Sequence, residues 1–425
     1  MLNLDEYDPF DLEGPPPPEG WTPGGVPVPA PVVAASLEID SVAAKALYSV
    51  WSGERITIVD SPPGAGKTLT VVTVVAHLAQ RSALRIIVAT PTRAQAMSMV
   101  WRLTEQMPAS KVIMAMSGVS KLDLPTGVLL QQGGGPGDPG FVEVRTLASC
   151  QGIGRTPDAD LMVIDEAYQS TYAAAAIAAS RSDQVLLVGD PGQIGPVVTA
   201  DTMAWEQMSL APHRRAPEAF AKIGSPTRLS LSSTWRLGQQ AAAAIAPLYR
   251  FGFTSSRPER AIVGLNEIEP LLVPVAENPY DPAVLGAVAE QAAALSEATL
   301  LLGGDHPEEV QMTPEDVAVV VSHNAQVSGV MGQLHMLGVR GVEVGTADRL
   351  QGGEWHAVVA LDPFVGHEEA SPHSLAPGRL CVMASRHRTH LSWMHDGAWA
   401  KRIADGEMSA TVAKQCLTVR QLLCA

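Results

Sequence analysis

Residues 56–70, ITIVDSPPGAGKTLT, restrict what this 425-residue chain can become more than any other stretch. The β-branched run Ile56-Thr57-Ile58-Val59 reads as a buried strand. It stops at Asp60, Ser61 and two prolines. Gly64-Ala65-Gly66 then leads into Lys67-Thr68 and an apolar helical pattern through Leu78. Strand, glycine loop, Gly-Lys-Thr and helix make a phosphate-binding loop. Glycines let backbone N–H groups turn inward around a phosphate, and the helix N-terminus adds partial positive charge. Pro63, Gly64, Ala65 and Gly66 are thus the candidate cradle for the nucleotide. Lys67 would reach the β- and γ-phosphates, and the Thr68 hydroxyl is a candidate Mg²⁺ ligand. The motif usually begins with Gly; Ser61 stands there instead.

The rest of the chain keeps this α/β rhythm. Residues 84–90, 111–116, 141–146, 161–164 and 185–188 read as further strands with helices between them, which predicts a parallel sheet. Ligands of open α/β sheets gather at the carboxyl ends of the strands. Asp165 and Glu166 follow directly on the apolar run 161–164. Asp165 would hold Mg²⁺, and Glu166 would orient and deprotonate an attacking water. Gln193, after the next strand, is placed to sense the γ-phosphate or its water. A link near Gly224-Ser225-Pro226 separates the halves, giving a first lobe over 36–226 and a second over 227–425. The second half repeats the pattern: strands at 271–275, 317–321, 342–344, 358–361 and 390–394, helices over 283–302 and 326–337. It has no phosphate loop of its own, so it would close on the first lobe's nucleotide.

Residues 1–35 are acidic and then proline-rich, a composition that cannot bury enough apolar surface to offset ordering entropy. A disordered tail is expected there. A sharper reading makes it a peptide that docks on a protein partner through Tyr7, Phe10 and Trp21. The net charge of −15 weighs against a nucleic-acid binder, but eight carboxylates and no Lys or Arg lie in residues 1–40. Screening over ~8 Å leaves a groove's own cations to decide. Arg outnumbers Lys 22 to 7, and Arg is the better bidentate phosphate ligand. No apolar run approaches the ~18 residues needed to span a membrane, and no secretion signal is evident. The four cysteines show no CxxC spacing, which suggests reduced thiols in a cytoplasmic protein. His387, His390 and His395 lack metal spacing and read as structural or solvent-facing.

Taken in order, these segments resemble the motifs of superfamily 1 helicases, specifically the DEAxQ branch that includes the nonsense-mediated-decay helicase. SPPGAGKT (61–68) looks like motif I and ATPTRAQA (89–96) like motif Ia. VIDEAYQ (163–169) is similar to motif II and VGDPGQIGPVV (188–198) to motif III. TWRLG (234–238) resembles the Tyr-Arg motif, with Trp235 in place of Tyr. VVVSHNAQ (319–326), VEVGTADRLQGGE (342–354) and LCVMASRHR (380–388) resemble motifs IV, V and VI.

The resemblance implies two RecA-like P-loop NTPase lobes, ATP and Mg²⁺ as cofactors, and single-stranded DNA or RNA as the partner. It implies that Arg236 and Arg386 come from the second lobe to neutralise the transferring γ-phosphate, and that Gly352 and Glu354 meet the nucleotide, Glu354 at the ribose. Thr90, Pro91 and Thr92 in one lobe and Thr346 in the other would touch the nucleic-acid backbone. Trp235 reads as a core or interlobe residue. The family's adenine-reading Gln has no counterpart between Ser36 and Ser61, so the choice among NTPs stays open. The chain has no room for the accessory domains of many relatives, which leaves a bare translocase or helicase. The alternative is an ATP-driven switch or protein remodeller built on the same engine.

Overall fold

The computed structural model describes residues 37–116, 123–131, 139–151, 159–304, 306–405 and 409–425. The tail expected over 1–35 lies outside them, as does most of the loop expected over 131–140.

The first lobe is one eight-stranded, fully parallel sheet. Its strands are β1 (Ile56–Asp60), β2 (Ile86–Thr90), β3 (Val112–Ala115), β4 (Leu129–Gln131), β5 (Val142–Thr146), β6 (Ala159–Ile164), β7 (Ser182–Gly189) and β8 (Thr227–Ser230). They lie in the order β4-β3-β5-β2-β6-β7-β1-β8. Alternate residues serve opposite faces. Val59, Val88, Val163 and Val188 pack under helices α1 (Val42–Trp51), α2 (Lys67–Arg81) and α3 (Arg93–Thr104). Ile58, Ile87, Ile164 and Leu187 pack under the helices Tyr172–Ala179 and Ala216–Phe220 on the other side. Both faces are covered, which is why these strands read as continuous apolar runs.

Two short pieces follow, β9 (Ser233–Thr234) and β10 (Thr254–Ser255), paired in parallel. An antiparallel trio, β11 (Arg260–Ile262), β13 (Thr299–Leu302) and β14 (Glu308–Gln311), flanks the second lobe. That lobe's main sheet is parallel, in the order β12-β18-β17-β15-β16. It uses β12 (Ile268–Leu272), β15 (Val317–Val321), β16 (Glu343–Thr346), β17 (Trp355–Leu361) and β18 (His387–His395). The α/β class is therefore observed, with two parallel main sheets and the phosphate loop in the first lobe.

Two expectations need correction, and a third is narrowed. β8 pairs with β1, so the first sheet runs four residues past the boundary expected at 226. The helix expected over 283–302 ends at Ser296, and Thr299–Leu302 is strand; the Leu residues at 300–302 continue an apolar pattern that both periods accommodate. Of the two readings of His387, His390 and His395, structural or solvent-facing, burial of all three leaves the structural one. His390 bridges the Asn266 carbonyl at 2.7 Å and the Ser392 hydroxyl at 2.8 Å, a structural role. No helix among the described residues is long and apolar enough to cross a membrane.

Candidate active site between the two lobes

The loop between β1 and α2 turns through two left-handed glycines, Gly64 (φ 68°) and Gly66 (φ 85°). Gly66 caps α2 without a side chain, so the first-turn N–H groups of α2 remain for a ligand. The start of the second lobe is fastened to this loop. The Thr234 hydroxyl donates to the Pro63 carbonyl at 2.6 Å, and the Trp235 N–H donates to the Gly64 carbonyl at 2.9 Å. A Cβ on Gly64 would collide with the Cβ of Arg236. Ala65 is buried beneath the loop.

Glu166 is the lone non-glycine with positive φ (52°) among the described residues. Strain of that kind gathers at functional sites. Here it turns the carboxylate back toward the phosphate loop, where Oε1 lies 3.2 Å from Lys67 Nζ. Oε2 accepts from Gln169 Nε2 at 3.3 Å. The Glu166 N–H donates to Asp165 Oδ1 at 2.9 Å. Burial, and after it the Glu166 charge, pushes the Asp165 carboxyl up to about 7. A buried carboxylate so destabilised, with Thr68 one residue beyond Lys67, offers the hard oxygen donors that suit Mg²⁺. A divalent cation would reverse that shift.

Gln193 is buried, with both ends of its amide in use. Nε2 donates to Asp190 Oδ2 at 2.8 Å, and Oε1 accepts from Gln351 Nε2 of the second lobe at 3.2 Å. Asp190 Oδ1 accepts from the Tyr249 hydroxyl, also of the second lobe, at 2.8 Å. Gln193 thus sits in an interlobe relay rather than presenting a free amide.

From the second lobe, Arg386 is 1% exposed. Its contacts are long, 3.4 Å to the Gly353 carbonyl and 3.4 Å to the Ser385 hydroxyl, and its Nε has no partner among the described residues. Burial, and after it the Arg236 charge, pulls its pKa down to about 10, while Asp190 and Glu166 act the other way. Arg236 is nearby but engaged: NH2 lies 2.6 Å from Glu354 Oε2. Arg388 grips Glu354 Oε1. Although burial opposes them, Arg236 and Arg388 hold the Glu354 carboxyl below the usual range. Glu354, expected at a ribose, here has both carboxylate oxygens held by guanidiniums. Gly352 is exposed at φ 97° two residues away.

The expected strand contacts separate. Thr90 is fully buried, and its hydroxyl donates inward to the carbonyls of Thr92 (3.1 Å) and Arg145 (3.4 Å). Its side chain cannot meet a backbone from there. Pro91 is half-buried; Thr92 is exposed and caps α3 in a capping box with Gln95. Thr346 ends β16 and caps the short helix Ala347–Leu350, accepting from the Arg349 N–H. Sequence reading missed Thr146, which ends β5 and caps Leu147–Cys150 in the same way. The matching Val-x-Thr spacing at Val144 and Val344 was the available signal. Trp235, expected in the core or between the lobes, is not in the core: its N–H donates to the Gly64 carbonyl while the residue is 58% exposed, as is Leu69 (56%) in the first turn of α2.

Comparison with curated proteins found no significant match. Among solved structures the chain is similar to arterivirus nonstructural protein 10 (helicase), at 16% identity over 83% of this chain and 62% of that one, TM-score 0.46. The same helicase in complex with DNA gives 16% identity, 83% and 63% coverage, and TM-score 0.46. The PRRSV helicase gives 19%, 82% and 54%, with TM-score 0.41. The chain spans less than two thirds of the length of each. Residues 43–250, from α1 through the phosphate loop and the start of the second lobe, match the AAA domain family.

Proposed function

We propose that the chain is an ATP-dependent, superfamily 1 translocase or helicase of the DEAxQ branch, acting on single-stranded DNA or RNA. The observation that carries the reading is Arg386. A buried guanidinium with an unpartnered Nε, electrostatically within reach of Glu166 and Asp190 across the interlobe boundary, calls for an anion, and the triphosphate is the anion the adjacent loop is built to hold.

In this reading the γ-phosphate draws Lys67 off Glu166. The freed carboxylate takes the proton of the attacking water. Arg386 then neutralises charge on the phosphoryl group, and Arg236 joins it by leaving Glu354. Such arginines contribute about 10³–10⁵ in rate. Mg²⁺, held by Thr68 and Asp165, would supply charge neutralisation on the phosphates. Gln193 reports the state of the site through Gln351 and Asp190–Tyr249 to the second lobe. The strand would run past Thr92 and Thr346, with Thr146 beside them, and a protein partner would engage residues 1–35.

Phosphate release measured with and without single-stranded DNA and RNA tests the proposal. Stimulation by either supports a motor. No stimulation by both would replace it with the nucleotide-driven switch.

A further inference from the structure

A cavity of about 530 Å³ opens between the lobes, on the face of the first sheet opposite α2. It is separate from the phosphate loop, and none of the proposed strand-contacting threonines lines it. Five cationic side chains form its wall against two carboxylates, Asp60 and Glu218, in a chain whose net charge is −15.

Three of the cations, Arg214, Arg215 and Lys222, are oriented by carbonyls without being neutralised. Arg215 donates to the carbonyls of Pro191 (2.7 Å) and Gln193 (2.8 Å). Arg214 donates to the carbonyls of Met208 and Glu206, and Lys222 to that of Ser209. Among the described residues, Arg228 alone of the five meets a carboxylate, Asp60 at 2.7 Å. Arg250, contributed by the second lobe, is exposed and makes no hydrogen bond or ion pair among the described residues. Carbonyls fix a guanidinium's direction but cancel none of its charge, so the recess concentrates positive potential between low-dielectric walls. Its volume lies in the range of small-molecule sites. Phe251 adds an aromatic wall.

We propose that this recess is a second anion site, which binds a phosphate-bearing small molecule bridging Arg215 of the first lobe and Arg250 of the second. Because Arg215 also holds the Gln193 carbonyl, an occupant there shares a residue with the candidate active site without entering it.

The test uses inorganic tripolyphosphate as the probe, titrated calorimetrically into the full chain already saturated with ADP and Mg²⁺ so that the phosphate loop is filled. One further equivalent should bind. Arg250→Glu and Lys222→Glu, both at exposed positions, should each weaken that binding about tenfold or more while leaving ADP affinity and the thermal midpoint unchanged. No binding to the ADP-saturated chain would overturn the proposal, as would binding indifferent to both reversals. If oligothymidylate affinity falls in the two variants while tripolyphosphate binding does not, the recess belongs to the strand path and the small-anion assignment is wrong.

Discussion

Replacing Arg386 by Met should make the nucleotide-free protein more stable and the enzyme nearly inactive. Burial, and after it the Arg236 charge, pulls the guanidinium from the ordinary arginine range down to about 10, a penalty on the charged form on the order of a few kcal/mol. The folded-state value lies below the unfolded one. The penalty is therefore full at any pH below about 10 and fades only as pH rises through that value toward the ordinary arginine range. Against it stand two hydrogen bonds of 3.4 Å and no partner at Nε, too little to offset the loss of water. Met keeps most of the volume and carries no charge, so the net gain should be about 1–3 kcal/mol, as for other buried charges replaced by apolar groups. For a lobe of about 200 residues that means a midpoint rise of roughly 2–4 °C per kcal/mol. Turnover should fall by about 10³-fold or more, with ADP affinity unchanged. Differential scanning calorimetry without nucleotide and steady-state phosphate release read the two effects. A lowered midpoint would mean that the fold already compensates the charge. Turnover within about tenfold of the parent would remove Arg386 from the chemistry.

Glu166→Gln should retain nucleotide binding by equilibrium fluorescence while phosphate release drops to background; persistent release would assign the base elsewhere. Gly64→Ala adds a Cβ at φ 68° against Arg236. It should cost about 1–3 kcal/mol of stability and weaken nucleotide binding; an unchanged midpoint would show that the Thr234–Trp235 clip is dispensable. Trp235→Ala, at a 58% exposed position, should leave the midpoint in place. Nucleotide affinity should drop by about 1–3 kcal/mol, the worth of a base–aromatic stack, equally for ATP and GTP. A loss confined to one base would point to edge-reading contacts instead.

The phosphate loop, the acidic pair and the alternation of strands and helices were legible because each is local: a few residues fix each geometry. What stayed hidden depends on partners far along the chain. Nothing near Trp235 says that its backbone is pinned to Gly64 while its ring stays in solvent. Thr90 was expected at a nucleic-acid backbone from the resemblance of residues 89–96 to motif Ia, yet the Arg145 carbonyl on the neighbouring strand turns its hydroxyl inward. Glu354 looked like a ribose ligand, and only the fold brings Arg236, 118 positions away, onto its carboxylate. The four-residue strand β8 escaped notice because Gly224-Ser225-Pro226 reads as an interdomain link, whereas here it connects the helix Ala216–Phe220 to an edge strand of the same lobe's sheet.

β8 has a mechanical consequence. The chain leaves the first lobe at the outer edge of the sheet beside β1, and four residues later Thr234 is hydrogen-bonded to Pro63. Any swing of the second lobe must pivot close to that short leash. The end of β2, where Thr92 sits, lies four strand spacings from β8, or about 19 Å at ~4.8 Å per spacing. Over such an arm a turn of about 10° sweeps roughly 3 Å, close to the ~3.4 Å rise of one stacked nucleotide. A door hung beside the fuel pocket would travel least where the phosphates are split and furthest where the strand is gripped.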